Sequence, residues 1–289
     1  MDVSRLKEIV DREDVLQLAL LLETNPSKIE YMADVLLYHA TRSGKCISLD
    51  FLLQNGMKPS GNASERSTLL HQAVTNNRPE AIELLLDWGF DVNTHTDSLN
   101  TPLFIACEED FPRCAEVLLD RGANVEYVSN NGSTPLHAAC YNGSLLCAEL
   151  LIKHGATVDR KNNIEWTPLF ESCLGLNDSS CLELLITHGA DVNAKAEDGW
   201  SVLHQAVEGG DEECVYALLN HGALPNIQDH QGKTPLHYAS TLNHPRCVEA
   251  LLRAGIDTTI IDNYGNTAYT LAVDASVLAL LTPEENHKN

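Results

Sequence analysis

Apolar residues return along this chain in short helical stripes, and the stripes come in pairs. Between Asn131 and Asp159, Leu136, Ala139 and Cys140 form one apolar face. Asn142-Gly143 interrupts it, and Leu146, Cys147, Leu150, Leu151 and Ile152 form a second. Thr134-Pro135 places proline at a helix start, where its missing N–H is no loss. Gly155 supplies a left-handed C-terminal cap. The stretch therefore reads as turn, helix, short turn, helix, loop. Two helices this short cannot hide both stripes against each other, so the unit requires neighbours.

The sequence supplies them. In register with Thr134 stand Thr68, Thr101, Thr167, Ser201, Thr234 and Thr267, each 33 or 34 residues from the next. The loop glycines Gly56, Gly89, Gly122, Gly155, Gly189, Gly222 and Gly255 keep the same step. Residues 1–29 read as a degenerate capping helix pair, with Leu6, Ile9, Val10, Val15, Leu18, Leu21 and Leu22 at helical spacing and charged residues facing water. Full units follow at 30–62, 63–95, 96–128, 129–161, 162–195, 196–228 and 229–261. The first of these is divergent, and the unit at 162 carries a one-residue insertion at Gly175–Ser179. Residues 262–289 form a shortened capping unit and a polar tail, giving about eight units in all.

A period of 33 with Thr-Pro-Leu-His at 134–137 and 234–237, and near matches at 68, 101, 167 and 201, resembles the ankyrin-repeat family. The resemblance covers roughly residues 30 to 281. It implies an all-α solenoid of helix-turn-helix units joined by short β-hairpin loops. It specifies the scaffold much better than the role, because the repeat serves many functions. Second-helix cysteines in Cys114-Ala-Glu, Cys147-Ala-Glu, Cys181-Leu-Glu and Cys247-Val-Glu, with Thr-Pro-Leu-Phe at 101 and 167, are similar to the ankyrin-repeat and SOCS-box proteins. Those are substrate receptors of cullin–RING ubiquitin ligases, whose adaptor-binding SOCS box follows the repeats. This chain stops at Asn289, eight residues past Leu281. As given, it is expected to hold a ligase substrate without recruiting the ligase.

Charge narrows the partner. The chain carries 19 Lys and Arg against 41 Asp and Glu, a formal −22. That balance argues against nucleic acid, whose affinity comes largely from neutralising phosphates, and against anionic membranes. It permits a Lys- or Arg-rich protein or peptide, although acidity also simply favours solubility. Eight of the nine cysteines fall in core registers of the helices and no CxxC exists, so neither a metal nor a cofactor is expected. Separated thiols and the lack of a visible signal peptide point to a monomeric cytoplasmic protein, with the nucleus also open. His71, His137, His204 and His237 all take the last place of the repeat tetrapeptide, which reads as structural. No HExxH, GxSxG or P-loop pattern is present, so no enzyme is expected.

The family resemblance places partners along a concave face made of loop tips and first helices. There the chain has one irregularity. Trp166 and Trp200 share a position just before the first helix, where other units have Ser67, Asn100, Ser133, Lys233 and Asn266. Exposed indoles are typical binding hot spots. Glu165, Glu171, Glu197, Asp198 and Glu208 surround them, a setting for a basic segment through cation–π and charge-assisted contacts. Tyr141, Glu108 and Glu109 would extend the surface toward the N-terminus. The competing reading is that each indole only covers its own hairpin. Trp88, beside Gly89, is read as packing locally. The family resemblance also implies asparaginyl hydroxylation at Asn93 and Asn193, which follow Asp-Val with Leu eight residues earlier, and more weakly at Asn226. The same residues are ordinary turn-formers.

Overall fold

The computed structural model describes residues 3–24, 29, 31–59, 68–174 and 179–282. Ser67, most of the expected insertion at Gly175–Ser179 and the tail beyond Thr282 lie outside them. The described residues contain eighteen helices. They group into two bodies, one of Met1–Asn130 with Leu146–Ala156, the other of Asn131–Leu145 with Thr157–Asn289.

The first body holds α1 (Val3–Asp11), α2 (Val15–Thr24), α3 (Ala33–Ser43), α4 (Cys46–Gln54), α5 (Thr68–Thr75), α6 (Pro79–Asp87), α7 (Pro102–Glu108) and α8 (Pro112–Asp120), with most of α10 (Leu145–Lys153). Its N-terminal pair buries Leu6, Ile9, Val10 and Leu18. The Ser48 hydroxyl donates to the Val10 carbonyl at 2.9 Å, tying α4 to α1. Arg5, Glu8, Asp11, Arg12 and Asp14 face water, but so do Leu16 at 85% and Leu20 at 58% exposure.

The second body holds α9 (Pro135–Tyr141), α11 (Pro168–Ser172), α12 (Ser180–Thr187), α13 (Val202–Glu208), α14 (Glu212–Asn220), α15 (Pro235–Thr241), α16 (Pro245–Arg253), α17 (Ala268–Leu271) and α18 (Ala275–Leu281). First helices pack on one another in order, α9 on α11, α11 on α13, α13 on α15 and α15 on α17, and each second helix packs behind its own first. The repeated leucines Leu136, Leu169, Leu203 and Leu236 are buried between them. The cysteines behave as small hydrophobes: all but Cys46 are buried, and the Cys173 thiol donates to the Leu169 carbonyl of its own turn at 3.4 Å.

Imidazoles fasten one unit to the next. His137 Nδ1 accepts the Thr134 backbone N–H at 3.1 Å and lies 2.8 Å from its hydroxyl. Nδ1 is therefore the unprotonated nitrogen, and Nε2–H donates to the Trp166 carbonyl, 29 residues on, at 3.0 Å. His204 and His237 repeat the arrangement, reaching the carbonyls of Lys233 and Asn266 at 3.1 Å. His71 reaches that of Asn100 at the same distance. The units at 96 and 162 differ, because Phe104 and Phe170 stand in the histidine position. The Thr167 hydroxyl is accordingly buried without a hydrogen-bond partner.

The loops close as short hairpins: Asn162, Ala196, Asp229 and Asp262 N–H donate to the carbonyls of Trp166, Trp200, Lys233 and Asn266 at 2.8–3.0 Å. Among the described residues they form only isolated antiparallel bridges, Lys195 with Ser201 and Ile261 with Thr267. Further backbone donors reach the neighbouring tip. Asn163 N–H donates to the Asn131 carbonyl at 3.0 Å, and His230 and Asn263 N–H to those of Asp198 and Gln231 at 2.9 Å. Such closeness needs glycine at the tip: Gly132 has φ +79°, and a Cβ there would lie 2.9 Å from the Asn163 backbone nitrogen.

Candidate functional site

The second body presents three rows of side chains that repeat with the units. The residue before the capping Thr or Ser of each first helix is Ser133, Trp166, Trp200, Lys233 and Asn266 in turn. Within the first helix a second row reads Ala138, Glu171, Gln205, Tyr238 and Leu271, and in the loop a third reads Ser129, Asn162, Ala196, Asp229 and Asp262. The first residue of that third row, Ser129, belongs to the other body.

The indoles are not the open platforms the sequence suggested. Both are half-buried. Trp166 stacks on Phe170 with ring centroids 5.6 Å apart. Trp200 stacks on His204 at 5.1 Å and meets Tyr238 of the following unit edge-on at 4.6 Å. Its indole N–H donates to Gln205 Oε1 at 3.0 Å. The cause is local: Trp166 and Phe170, like Trp200 and His204, are four residues apart at a helix start, the spacing at which side chains share a face. Each indole thus covers its own unit and still leaves part of its surface to water.

The carboxylates fall into different classes. Glu165 is paired with Lys161 Nζ at 3.0 Å and is partly spent on its own chain. Glu197 and Asp198 are exposed at a loop tip, where Asp198 Oδ1 accepts the Trp200 backbone N–H at 3.1 Å. Glu208 is exposed and lies 3.4 Å from Gln205 Nε2. Glu171 is only part-exposed, with Asn162 Nδ2 at 3.4 Å, and no cation pairs with it among the described residues. Burial pushes its carboxyl up to about 7. A carboxyl raised in the folded state above its ordinary 4.5 gives stability that is present below that value and lost as pH rises through about 7. Glu171→Gln is therefore expected to melt like wild type near pH 5 and at higher temperature than wild type at pH 8, by differential scanning fluorimetry.

Tyr141, at the end of α9, is 52% exposed. Glu108 and Glu109 are exposed at the end of α7 in the other body. Burial and then Glu109 raise the Glu108 carboxyl. Trp88 corrects the expectation of purely local packing: at 42% exposure, its indole N–H donates to Asp50 Oδ1, 38 residues earlier, at 2.9 Å. Asn93 and Asn193 also reach forward. Asn93 Oδ1 accepts the Asn124 N–H at 2.8 Å, and Asn193 Oδ1 accepts that of Leu224 at 2.9 Å. Asn226 does the same for Asp257 at 2.8 Å.

Sequence reasoning missed Tyr238, Asp229 and Gln205, and took Lys233 only as a filler of the tryptophan position. Tyr238 donates its hydroxyl to Asp229 Oδ2 at 2.6 Å, and Lys233 Nζ sits 5.3 Å from the Tyr238 ring centre. Burial first, then Asp229, Asp198 and Glu208, raise the phenol well above its ordinary value. Burial holds His204 down to about 4 against the backbone carbonyl of Lys233 and the nearby Asp229 and Asp198. The available signal was register: Tyr238 occupies the place of Glu171 and Gln205. Among the described residues no group of three His, Cys, Asp or Glu side chains is arranged to hold a metal ion. None of the described helices is long and apolar enough to cross a membrane.

Helix pairs bolted in series by imidazoles and tip hydrogen bonds, with polar and aromatic rows along one side, define a repeat protein of the interaction-scaffold class. The chain belongs to the ankyrin-repeat family, whose three-copy model matches over residues 11–96, 37–129, 89–162, 169–262 and 203–289. Repeats of this family mediate protein–protein interaction and are generally non-enzymatic. The ankyrin repeat domain of human ASB11 is similar, at 27% identity and a TM-score of 0.69 over 76% of this chain and 99% of that one. That of Bcl-3, a member of the IkappaB protein family, is 28% identical with a TM-score of 0.65, over 73% of this chain and 96% of that one. No curated protein sequence matches.

Proposed function

We propose that this chain is a non-enzymatic adaptor that holds an extended, basic segment of another protein along the rows of its second body. Trp166 and Trp200 would supply apolar and cation–π contact, and Glu171, Glu197, Asp198 and Glu208 the charge. Tyr141 flanks this surface, while Glu108 and Glu109 offer acidic contacts in the other body. The observation that carries the reading is Glu171, a carboxyl set beside the row of indoles, largely withdrawn from water and with no cation paired to it among the described residues. Leaving such a group unpaired is costly, and a lysine or arginine from a partner relieves the cost. Binding would then draw the proton off Glu171. Affinity for a lysine-rich peptide, followed by fluorescence anisotropy, is expected to rise from pH 6 to pH 8 in wild type and to lose that rise in Glu171→Gln. A pH-independent affinity in both would remove Glu171 from the site.

The likeness to the ASB11 ankyrin domain favours a second reading, in which the held protein is a ubiquitin-ligase substrate. It uses the same surface and differs in what else joins the complex, so co-purification of a ligase adaptor separates the two. Hydroxylation of Asn93 or Asn193 remains a proposal. Their amide oxygens already serve the next loop, so a modified residue would have to keep that contact.

A further inference from the structure

We infer that the corner between Trp200 and Tyr238 is a receptor for a lysine side chain of the partner, and that Lys233 now occupies it as an internal stand-in. This rests on the reading that the second body binds a basic segment, and it adds which subsite takes the cation and what competes for it. The two rings meet at 77°, forming two walls. One wall is fixed from behind by His204, the other by the short hydrogen bond from Tyr238 to Asp229. A cation already lies at one wall: Lys233 Nζ sits over the Tyr238 ring, 5.3 Å from its centre. An ammonium over an aromatic ring is an attractive contact, which shows that the site accepts this group.

The charge is not balanced by that occupant. Asp229, Asp198 and Glu208 all bear on the Tyr238 phenol, and none of them is in ion-pair contact with Lys233 among the described residues. Lys233 also stands in the row position taken by the two tryptophans, so it reaches the corner from the edge along which a partner would lie. Its structural duty is performed by its backbone carbonyl, which receives the His204 Nε2–H, and not by its ammonium. The side chain is free to be exchanged while the fold stays intact.

The test uses the full chain, an extended peptide of alternating lysine and glycine, and the same peptide with norleucine for lysine, all by fluorescence anisotropy. Lys233→Met keeps the aliphatic stem and removes the competing charge. It is expected to bind the lysine peptide about three- to five-fold more tightly than wild type, with an unchanged melting temperature. Tyr238→Leu, which removes the seat, is expected to weaken binding and to abolish the gain from Lys233→Met in the double variant. Unchanged or weaker binding by Lys233→Met, with wild type still preferring lysine to norleucine, overturns the internal stand-in and leaves the adaptor reading standing. Failure of both chains to prefer lysine overturns both.

Discussion

Replacing His204 with alanine is expected to destabilise the second body by about 3 kcal/mol, the sum of a buried ring lost and its hydrogen bonds unmade. The ring is fully buried. It accepts the Ser201 N–H at 3.2 Å, sits 2.8 Å from the Ser201 hydroxyl and donates to Lys233 at 3.1 Å. Alanine removes these together, leaves the Ser201 hydroxyl without its acceptor and takes the floor from under Trp200. A shift in the urea midpoint without change of slope checks the size. A loss under about 1 kcal/mol would mean that the imidazole only fills space. The same residue makes the fold acid-sensitive. Its pKa is depressed from 6.5 to about 4, so its contribution is complete above pH 6.5 and is lost as pH falls through about 4. His204→Ala should therefore show a flatter decline of stability between pH 6.5 and 4 than wild type.

Removing both indoles, Trp166→Ala with Trp200→Ala, is expected to weaken a lysine-rich peptide at least thirty-fold, since a central aromatic anchor is typically worth about 2 kcal/mol or more. The structure changes how this must be read. Each indole stacks on a ring of its own unit, an interaction worth about 1 kcal/mol, so the variant should also melt earlier. Binding is compared where both chains are fully folded by circular dichroism. Trp88→Ala is the control: it loses the Asp50 hydrogen bond in the other body and is expected to leave peptide affinity alone. Equal affinity of wild type and the double variant would reduce both indoles to cover for their hairpins.

The scaffold was legible in the sequence because repetition multiplies a weak signal. One Thr-Pro-Leu-His is a common tetrapeptide, whereas the same register kept from Thr68 to Thr267 admits few alternatives. The structural role of the histidines was legible for the same reason. The surface was harder, because its contacts join positions in different units. Trp200 against Tyr238 spans 38 residues and repeats nowhere else, so no period announces it. The half-burial of Trp166 and Trp200 was within reach, since an aromatic residue four places on at a helix start predicts stacking. The pairing within each loop was legible from family likeness, whereas the bonds between neighbouring tips join positions in different units and had no signal in the sequence.

Phe170 gives the second body a joint unlike its neighbours at His137, His204 and His237. A ring without nitrogen cannot reach the next carbonyl, and apolar packing has no preferred direction. The joint between the units at 162 and 196 therefore lacks the directional tie that its histidine-bearing neighbours have. Trp166 stands on one side of that joint and Trp200 on the other, so on the proposed function a guest would bridge the least directional seam of the second body.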